Sequence, residues 1–170
     1  MTMSAQPQLF SAVIDAPFGA IGIRTAAGLL QELVYLPPRW QAIAPTDAAA
    51  ERAAHQLQRY LHEPDFRFDL PLPTVGTLFQ QRVWHAISAI PRGETLTYGA
   101  IAKTLRTAPR AVGQACGANW FPVIIPCHRV TATGSLGGFA QDDDEAGFFL
   151  GVKRWLLAHE SRANASSAHE

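Results

Sequence analysis

The segment from Pro64 to Gly76, PDFRFDLPLPTVG, constrains the fold of this chain more than any other stretch of its sequence. It holds three prolines and shows no helical periodicity, so neither a helix nor a central strand is expected to run through it. We interpret it as an extended linker and place a domain boundary near residue 74. Residues 1–73 and 74–160 are therefore expected to form two domains, followed by a disordered polar tail, 161–170.

The first half predicts a small sheet followed by one helix. Three short runs rich in aliphatic and β-branched residues, LFSAVID, GAIGIRT and GLLQELVYL, are separated by proline and glycine. The next stretch, TDAAAERAAHQLQRYLHE, is helical in composition, with Thr46 or Asp47 as its N-cap. The residues spaced as one apolar helix stripe requires are Ala50, Ala53, Ala54, Leu57 and Leu61.

The second half predicts helices. The stretch TLFQQRVWHAISAI carries an apolar stripe formed by Phe79, Val83, Ile87 and Ile90. Two short helices, TYGAIAKTL and APRAVGQACGAN, follow with a tight turn between them, an arrangement typical of a helix-turn-helix.

The second of these short helices has a face of small residues. They are Ala111, Ala115 and Ala118, flanked by Gly113 and Gly117. A glycine inside a helix costs about 1 kcal/mol relative to alanine, so another surface must come close to this backbone. Tight packing against a helix and close approach to DNA both fit. Only Arg110 and Gln114 offer base-reading side chains, so sequence-specific readout is not favoured.

The charge distribution favours an anionic partner for the middle of the chain. The formal net charge is zero, but residues 82–129 hold five arginines and one lysine against Glu94 alone. Two cysteines make no disulfide framework, and no Cys/His spacing predicts a metal site, so we expect no metal and no cofactor. No apolar run is long enough to span a membrane and no signal peptide is recognisable, so we expect a soluble, cytoplasmic protein.

The motif PVIIPCHRV places Cys127, His128 and Arg129 directly behind a buried apolar segment. A thiol with a pKa of about 8.5 is mostly protonated at neutral pH, so a reactive Cys127 needs a base or a positive field, which His128 and Arg129 could supply. Neighbouring side chains of an extended chain point to opposite sides, so contact between Cys127 and His128 requires a bend or a bridging water. A third group should orient the imidazole. The acidic candidates are Glu94, Asp142, Asp143, Asp144, Glu145 and Glu160.

The alternative for Cys127 is a buried structural thiol, which is also our interpretation of Cys116 from the residues alone. Four further histidines, His55, His62, His85 and His159, belong to no recognisable constellation.

From Gly76 to Glu160 the chain resembles the O6-alkylguanine-DNA alkyltransferases, also called methylated-DNA-protein cysteine methyltransferases. Five ordered motifs carry the resemblance, namely GTLFQQRVW, IPRGETLTYGAIA, PRAVGQACGAN, IIPCHRV and KRWLLAHE. The fold that it implies is a mixed α/β fold of the α+β class, in which helices and strands are segregated. A small ribonuclease-H-like domain of sheet and helix would precede a mostly helical, winged-helix-like domain that contains the helix-turn-helix.

The resemblance implies a suicide DNA-repair protein, which flips an alkylated guanine out of the duplex and moves the alkyl group irreversibly to its own cysteine. Cys127 would be the acceptor, and His128 the base that deprotonates it through a water. Glu160 would orient His128, and Asn119 would brace the turn of the active site. Arg129 is then a structural residue that holds this turn.

The resemblance also implies a DNA-binding surface and a base pocket. Tyr98 would contact the 3′ phosphate and the flipped base, and Arg110 would fill the gap in the base stack, on a DNA-binding helix that also carries Ala111 and Gln114. The pocket walls would be Tyr98, Pro122, Val130, Phe139 and Ala140, with Cys116 at the border. The expected partner is double-stranded DNA containing O6-alkylguanine, and secondarily O4-alkylthymine, bound by a monomer without an obligate protein partner.

The chain departs from the family pattern after the helix-turn-helix. Where family members commonly carry Tyr-x-Gly-Gly, this chain has Phe139, Ala140 and the insertion QDDDEAGFFLG. Its four acidic residues, Asp142 to Glu145, lie beside a face expected to meet phosphates, so we expect them to weaken DNA binding at low salt.

Two other functions were considered. A non-catalytic lesion-binding protein of the alkyltransferase-like kind usually carries tryptophan in place of Cys127. A cysteine hydrolase would turn over through a thioester and needs a donor site for an oxyanion, which leaves the helix-turn-helix without a role.

Overall fold

The computed structural model describes residues 9–137 and 147–167, with the backbone alone described for 162–167. The chain forms two compact units, Met1–His62 with Phe66–Pro73, and Glu63–Asp65 with Thr74–Glu170. Within the described residues, one antiparallel sheet and five α-helices give the α+β class that the sequence predicts.

The first unit is a three-stranded antiparallel sheet followed by a helix. The strands β1 (Ala12–Ala16), β2 (Gly19–Ala26) and β3 (Leu29–Leu36) lie in the order β1-β2-β3, with the helix α1 at Ala48–His62. Of the two candidate N-caps, Asp47 caps the helix, because its Oδ1 accepts the N–H of Ala50 at 2.8 Å. In the buried stripe of α1, Tyr60 takes the place that the sequence analysis gave to Leu61.

Residues 66–73 of the proline-rich segment pack onto α1 and belong to the first unit. Gln56 donates to the carbonyl of Asp69 at 3.0 Å and accepts the Asp69 N–H at 2.8 Å. The Phe68 ring lies 5.6 Å from the Tyr60 ring, centroid to centroid. The segment has no helix or strand, as expected, but an amide pair and an aromatic contact anchor it, so it is not a free spacer.

The second unit is mainly helical. Its elements are α2 (Leu78–Ser88), β4 (Leu96–Thr97), α3 (Tyr98–Leu105), α4 (Pro109–Gly117), a 3₁₀ helix (Cys127–Arg129), β5 (Val130–Thr131) and α5 (Phe148–Ser167). The helix α2 starts in a capping box, with reciprocal hydrogen bonds between Thr77 and Gln80. Helices α3 and α4 form the predicted helix-turn-helix, and Arg106 supplies the left-handed residue that ends α3.

The buried face of α2 fixes the position of α4. Trp84 is buried and its indole N–H donates to the carbonyl of Ala115 at 2.8 Å. Ala115 therefore belongs to the core and not to an exposed face of small residues, whereas Arg110 and Gln114 are exposed. Periodicity alone could not make this distinction, since small residues suit both surfaces.

The last helix continues to Ser167, so residues 161–167 are helical where the sequence analysis expected disorder. Extending a helix that is already packed adds one hydrogen bond for each residue fixed, so a polar tail can continue it without a core of its own. In the described ranges, no helix is both long and apolar enough to cross a membrane.

Candidate active site

The candidate nucleophile, Cys127, lies in a tight bend. Pro126 precedes a single turn of 3₁₀ helix, in which the Cys127 N–H donates to the carbonyl of Ile125 at 2.8 Å and the Arg129 N–H to that of Pro126 at 2.9 Å. Cys127 and His128 are both buried. The chain is therefore bent here, but the described contacts include no direct hydrogen bond between Cys127 and His128.

Asn119 joins the end of α4 to this bend. Its Nδ2 donates to the Ile125 carbonyl at 2.9 Å and to the Cys127 Sγ at 3.3 Å, while its Oδ1 accepts the N–H of Phe121 at 2.9 Å. All three contacts of one amide thus fix the loop between residues 119 and 127 and reach the sulfur itself. Within this loop, the buried Val123 has φ of 76°, a conformation rare for a β-branched residue, which is strain of the kind that functional loops retain.

His128 and Glu160 form a buried pair. The Nε2 of His128 lies 2.9 Å from the Oε2 of Glu160, and both side chains are almost completely buried. Arg129 donates to both carboxylate oxygens, from Nε at 2.9 Å and from Nη2 at 2.8 Å. Of the candidate acids, Glu160 is the one that contacts His128, while Asp142 to Glu145 lie outside the described residues.

Electrostatics fix the protonation states of this pair. Burial alone would raise the pKa of the Glu160 carboxyl, but the hydrogen bonds from His128 and Arg129 outweigh it and hold the pKa below its ordinary value. Burial lowers the pKa of His128, and the hydrogen bond with Glu160 only partly offsets this. A neutral imidazole facing a carboxylate places its proton on Nε2, so Nδ1 carries a free lone pair.

This Nδ1 is buried and has no hydrogen-bond partner among the described residues, the Cys127 thiol included. Any proton transfer from the thiol to His128 must therefore pass through an intermediary or follow a movement of one side chain.

The Cys127 thiol is held protonated. A hydrogen bond with the Cys116 thiol and then burial raise the pKa of Cys127 well above its ordinary value, while Asn119 and Lys153 act in the opposite direction. Cys116, which the residues alone assigned to structure, thus lies against the nucleophile. Arg129 does not supply the positive field at the sulfur, because its guanidinium binds Glu160 and the carbonyl of Ile90.

Lys153 is the buried cation near the sulfur, and sequence reasoning missed it. Its Nζ donates to the carbonyls of Val130 at 2.8 Å and Leu136 at 2.5 Å, and lies 5.8 Å from the centroid of the Tyr98 ring. Burial lowers the pKa of Lys153 to about 8. One signal was present, since Lys153 and Glu160 are seven residues apart on one helix and therefore share a face.

The predicted DNA-binding and pocket residues that the structure describes lie in the second unit. Tyr98 begins α3 next to Gly137, where a Cβ atom would lie only 2.8 Å from the Tyr98 ring. Burial, followed by the Cys116 and Cys127 charges, raises the pKa of Tyr98, so the phenol keeps its proton.

Of the other predicted contacts, Ala111 and Pro122 are partly exposed, and Val130 is buried with its carbonyl bonded to Lys153. Phe139 and Ala140 lie outside the described residues. In the part of the chain that the structure describes, no three His, Cys, Asp or Glu side chains are grouped as a metal site would require.

Comparison with known proteins identifies the family to which this chain is similar. Residues 78–162 match the family model of the 6-O-methylguanine DNA methyltransferase, DNA binding domain. The methylated-DNA–protein-cysteine methyltransferase of Mycobacterium tuberculosis is 40% identical over 163 residues, which cover 89% of this chain and 93% of that protein. The regulatory protein ada of Salmonella typhimurium is 45% identical over 98 residues, 56% of this chain but only 28% of that protein.

A solved structure shares the fold of most of the chain. The crystal structure of Mycobacterium tuberculosis OGT in complex with DNA superposes with a TM-score of 0.73 at 37% identity, covering 88% of this chain and 91% of that one.

Proposed function

The chain belongs to the family of methylated-DNA–protein-cysteine methyltransferases, and we propose that Cys127 is the residue that accepts the alkyl group. The protein acts in DNA repair by direct reversal, moving the alkyl group from DNA to one of its own cysteines. One observation carries the assignment to Cys127. Its sulfur accepts a hydrogen bond from the Asn119 amide, and the next residue, His128, is hydrogen-bonded to the buried Glu160.

The transfer is a displacement at the alkyl carbon attached to guanine O6. A bond forms between the Cys127 sulfur and this carbon, and the carbon–O6 bond breaks, leaving its electron pair on the guanine. The thiol proton passes through a water to Nδ1 of His128, the buried lone pair next in the chain. The thioether product has no good leaving group, so each chain reacts once.

The surrounding residues hold this arrangement. Glu160 keeps the imidazole in the tautomer with a free Nδ1, and Asn119 positions the sulfur. Tyr98, whose phenol keeps its proton, donates a hydrogen bond to the flipped base. Pro122, Val130, Phe139 and Ala140 complete the proposed pocket.

The proposed DNA-binding element is α4. Its exposed Arg110 fills the gap left in the stack, and Gln114 and Ala111 lie along the DNA. Minor-groove binding fits a helix with few base-reading side chains, as a protein that must find lesions in any sequence requires. We propose that the partner is duplex DNA with O6-alkylguanine or, secondarily, O4-alkylthymine, and that the protein acts as a monomer in the cytoplasm.

The test is transfer of a radiolabelled methyl group from an O6-methylguanine duplex to the chain. We expect at most one label per chain in the wild type, none in Cys127→Ala, and labelling in the matched variant Cys116→Ala. Cys127→Ala should still bind the duplex. Label in Cys127→Ala, or several methyl groups removed per chain, would contradict the assignment.

The alternative of a non-catalytic lesion-binding protein gains no support. The cysteine is present, its sulfur is contacted by Asn119, and the family matched is one of methyltransferases.

A further inference from the structure

Glu160 is held at two points by one short turn of the chain. Its carboxylate binds Arg129, whose Nη1 donates to the carbonyl of Ile90 at 2.7 Å. Its backbone carbonyl accepts a hydrogen bond from Nη1 of Arg92 at 3.2 Å. Ile90 and Arg92 flank Pro91, so these contacts close a ring that runs from the turn after α2 through Glu160 and back.

We propose that Arg92 is a positioning residue for the His128–Glu160 pair, and that Asp65 orients Arg92. This rests on the proposed function, in which His128 takes the thiol proton. Arg129 sets the direction of the carboxylate, and Arg92 adds a side-chain donor to the carbonyl of Glu160, on the α5 backbone from which that carboxylate extends. The Nε2–Oε2 distance of 2.9 Å depends on both.

Asp65 anchors the other end of the Arg92 side chain. The Nε of Arg92 forms an ion pair with Oδ1 of Asp65, which leaves Nη1 directed at the Glu160 carbonyl. The Arg92 side chain is 25% exposed and that of Asp65 is 66% exposed. The ion pair is therefore screened by salt, and Asp65 contributes less than Arg92 itself.

This role distinguishes Arg92 from the exposed basic side chains of its segment. In the positive segment 82–129, Arg92 and Arg129 both bind within the ring around Glu160. The exposed basic residues of that segment are Arg82, Lys103, Arg106 and Arg110. Arg82 is a matched control, because its guanidinium also donates to a backbone carbonyl, that of Leu105 at 3.3 Å, away from the pair.

The kinetic test measures single-turnover transfer against duplex concentration. We expect Arg92→Ala to lower the limiting rate about tenfold, less than the hundredfold that a larger misplacement can cause, with little change in the half-saturating concentration. Arg82→Ala should leave the limiting rate unchanged. Arg92→Lys should recover most of the loss, because an ammonium can still donate to the carbonyl. Asp65→Asn should lower the limiting rate by about threefold or less. Its control in the first unit, Asp69→Asn, should leave the limiting rate unchanged.

The structural test follows the Nε2–H proton of His128 by nuclear magnetic resonance, without DNA. We expect this proton to exchange with solvent faster in Arg92→Ala than in Arg82→Ala. In Arg92→Lys, its exchange rate should return to that of the wild type. Equal limiting rates and equal exchange in the two alanine variants would overturn the proposal. A wild type that transfers nothing would refute the proposed function instead, and the exchange measurement would still decide the role of Arg92. If Arg92→Ala does not fold, Arg92→Met against Arg82→Met, which keeps the apolar part of each side chain and removes its donors, provides the same comparison.

Discussion

At the scale of single residues, the surroundings of Cys127, the proposed alkyl acceptor, raise its pKa and favour the neutral thiol. Burial and the Cys116 thiol favour the neutral Cys127, whereas Asn119 and Lys153 favour the thiolate. A protein that reacts only once benefits from this balance, because a standing thiolate would be consumed by other electrophiles. In the proposed mechanism, His128 takes the thiol proton at the moment of transfer.

Replacing Lys153 by methionine should slow the transfer. The change removes the buried cation near the sulfur, so the pKa of Cys127 should rise further and the thiolate become scarcer. We expect a loss of about tenfold in the transfer rate at pH 7, because the thiolate is the reactive form of the sulfur. The matched variant is Lys103→Met on α3, an exposed lysine, which should transfer at the wild-type limiting rate. An unchanged rate in Lys153→Met would show that the cation serves only the two carbonyls that it binds.

At the scale of elements, the site is built where α4, the 3₁₀ turn and α5 meet. Asn119 lies two residues after α4, Cys127 lies in the turn and Glu160 lies on α5, so no single element contains the site. The position of α4 depends in turn on Trp84 of α2, through the carbonyl of Ala115.

Trp84→Phe tests this dependence. The phenyl ring fills most of the same space but cannot donate, so the buried Ala115 carbonyl loses its side-chain donor. We expect a loss of about 1–3 kcal/mol in the free energy of unfolding, measured by urea denaturation. Trp120→Phe, at an exposed tryptophan, should change it little. Equal losses in the two variants would mean that the indole hydrogen bond does not fasten α4.

The sequence predicted the elements better than the contacts between them. The strands, α1 and α2 follow from local periodicity and caps, which are properties of neighbouring residues. Arg92, Lys153 and the buried side of Ala115 depend on residues 17 to 68 positions away, which periodicity does not relate. For Lys153 the helical spacing to Glu160 was the one local signal. The pairing of His128 with Glu160 was suggested by the resemblance, whereas the residues alone left six acidic residues as candidate partners of the imidazole.

At the scale of the whole molecule, the buried pair makes stability depend on pH. The folded-state pKa values of His128 and Glu160 both lie below the ordinary 6.5 and 4.5, so the unfolded chain binds more protons on acidification. The free energy of unfolding should therefore fall below about pH 6.5 because of His128, and more steeply below about pH 4.5 because of Glu160. Urea denaturation from pH 7.5 to 4 checks this. In Glu160→Gln, the free energy of unfolding should fall less steeply with decreasing pH below about pH 4.5. An equally steep fall in that variant would contradict the account.

The acidic insertion should affect DNA binding by the whole molecule. Because Asp142, Asp143 and Asp144 lie outside the described residues, this prediction depends on the sequence alone. Replacing all three by serine should raise the affinity for undamaged duplex and steepen its salt dependence, as a loss of repulsion requires. Equal affinity of the two proteins at low salt would place the insertion away from the DNA.

The central claim is that one sulfur, that of Cys127, takes the alkyl group and keeps it. Mass spectrometry of the intact chain and of its peptides, after incubation with an excess of O6-methylguanine duplex, tests this most directly. The account predicts a single added methyl group, located on Cys127 and stable on further incubation, with Cys116 unmodified. Methylation of Cys116 instead, or a repaired duplex beside an unmodified chain, would contradict it.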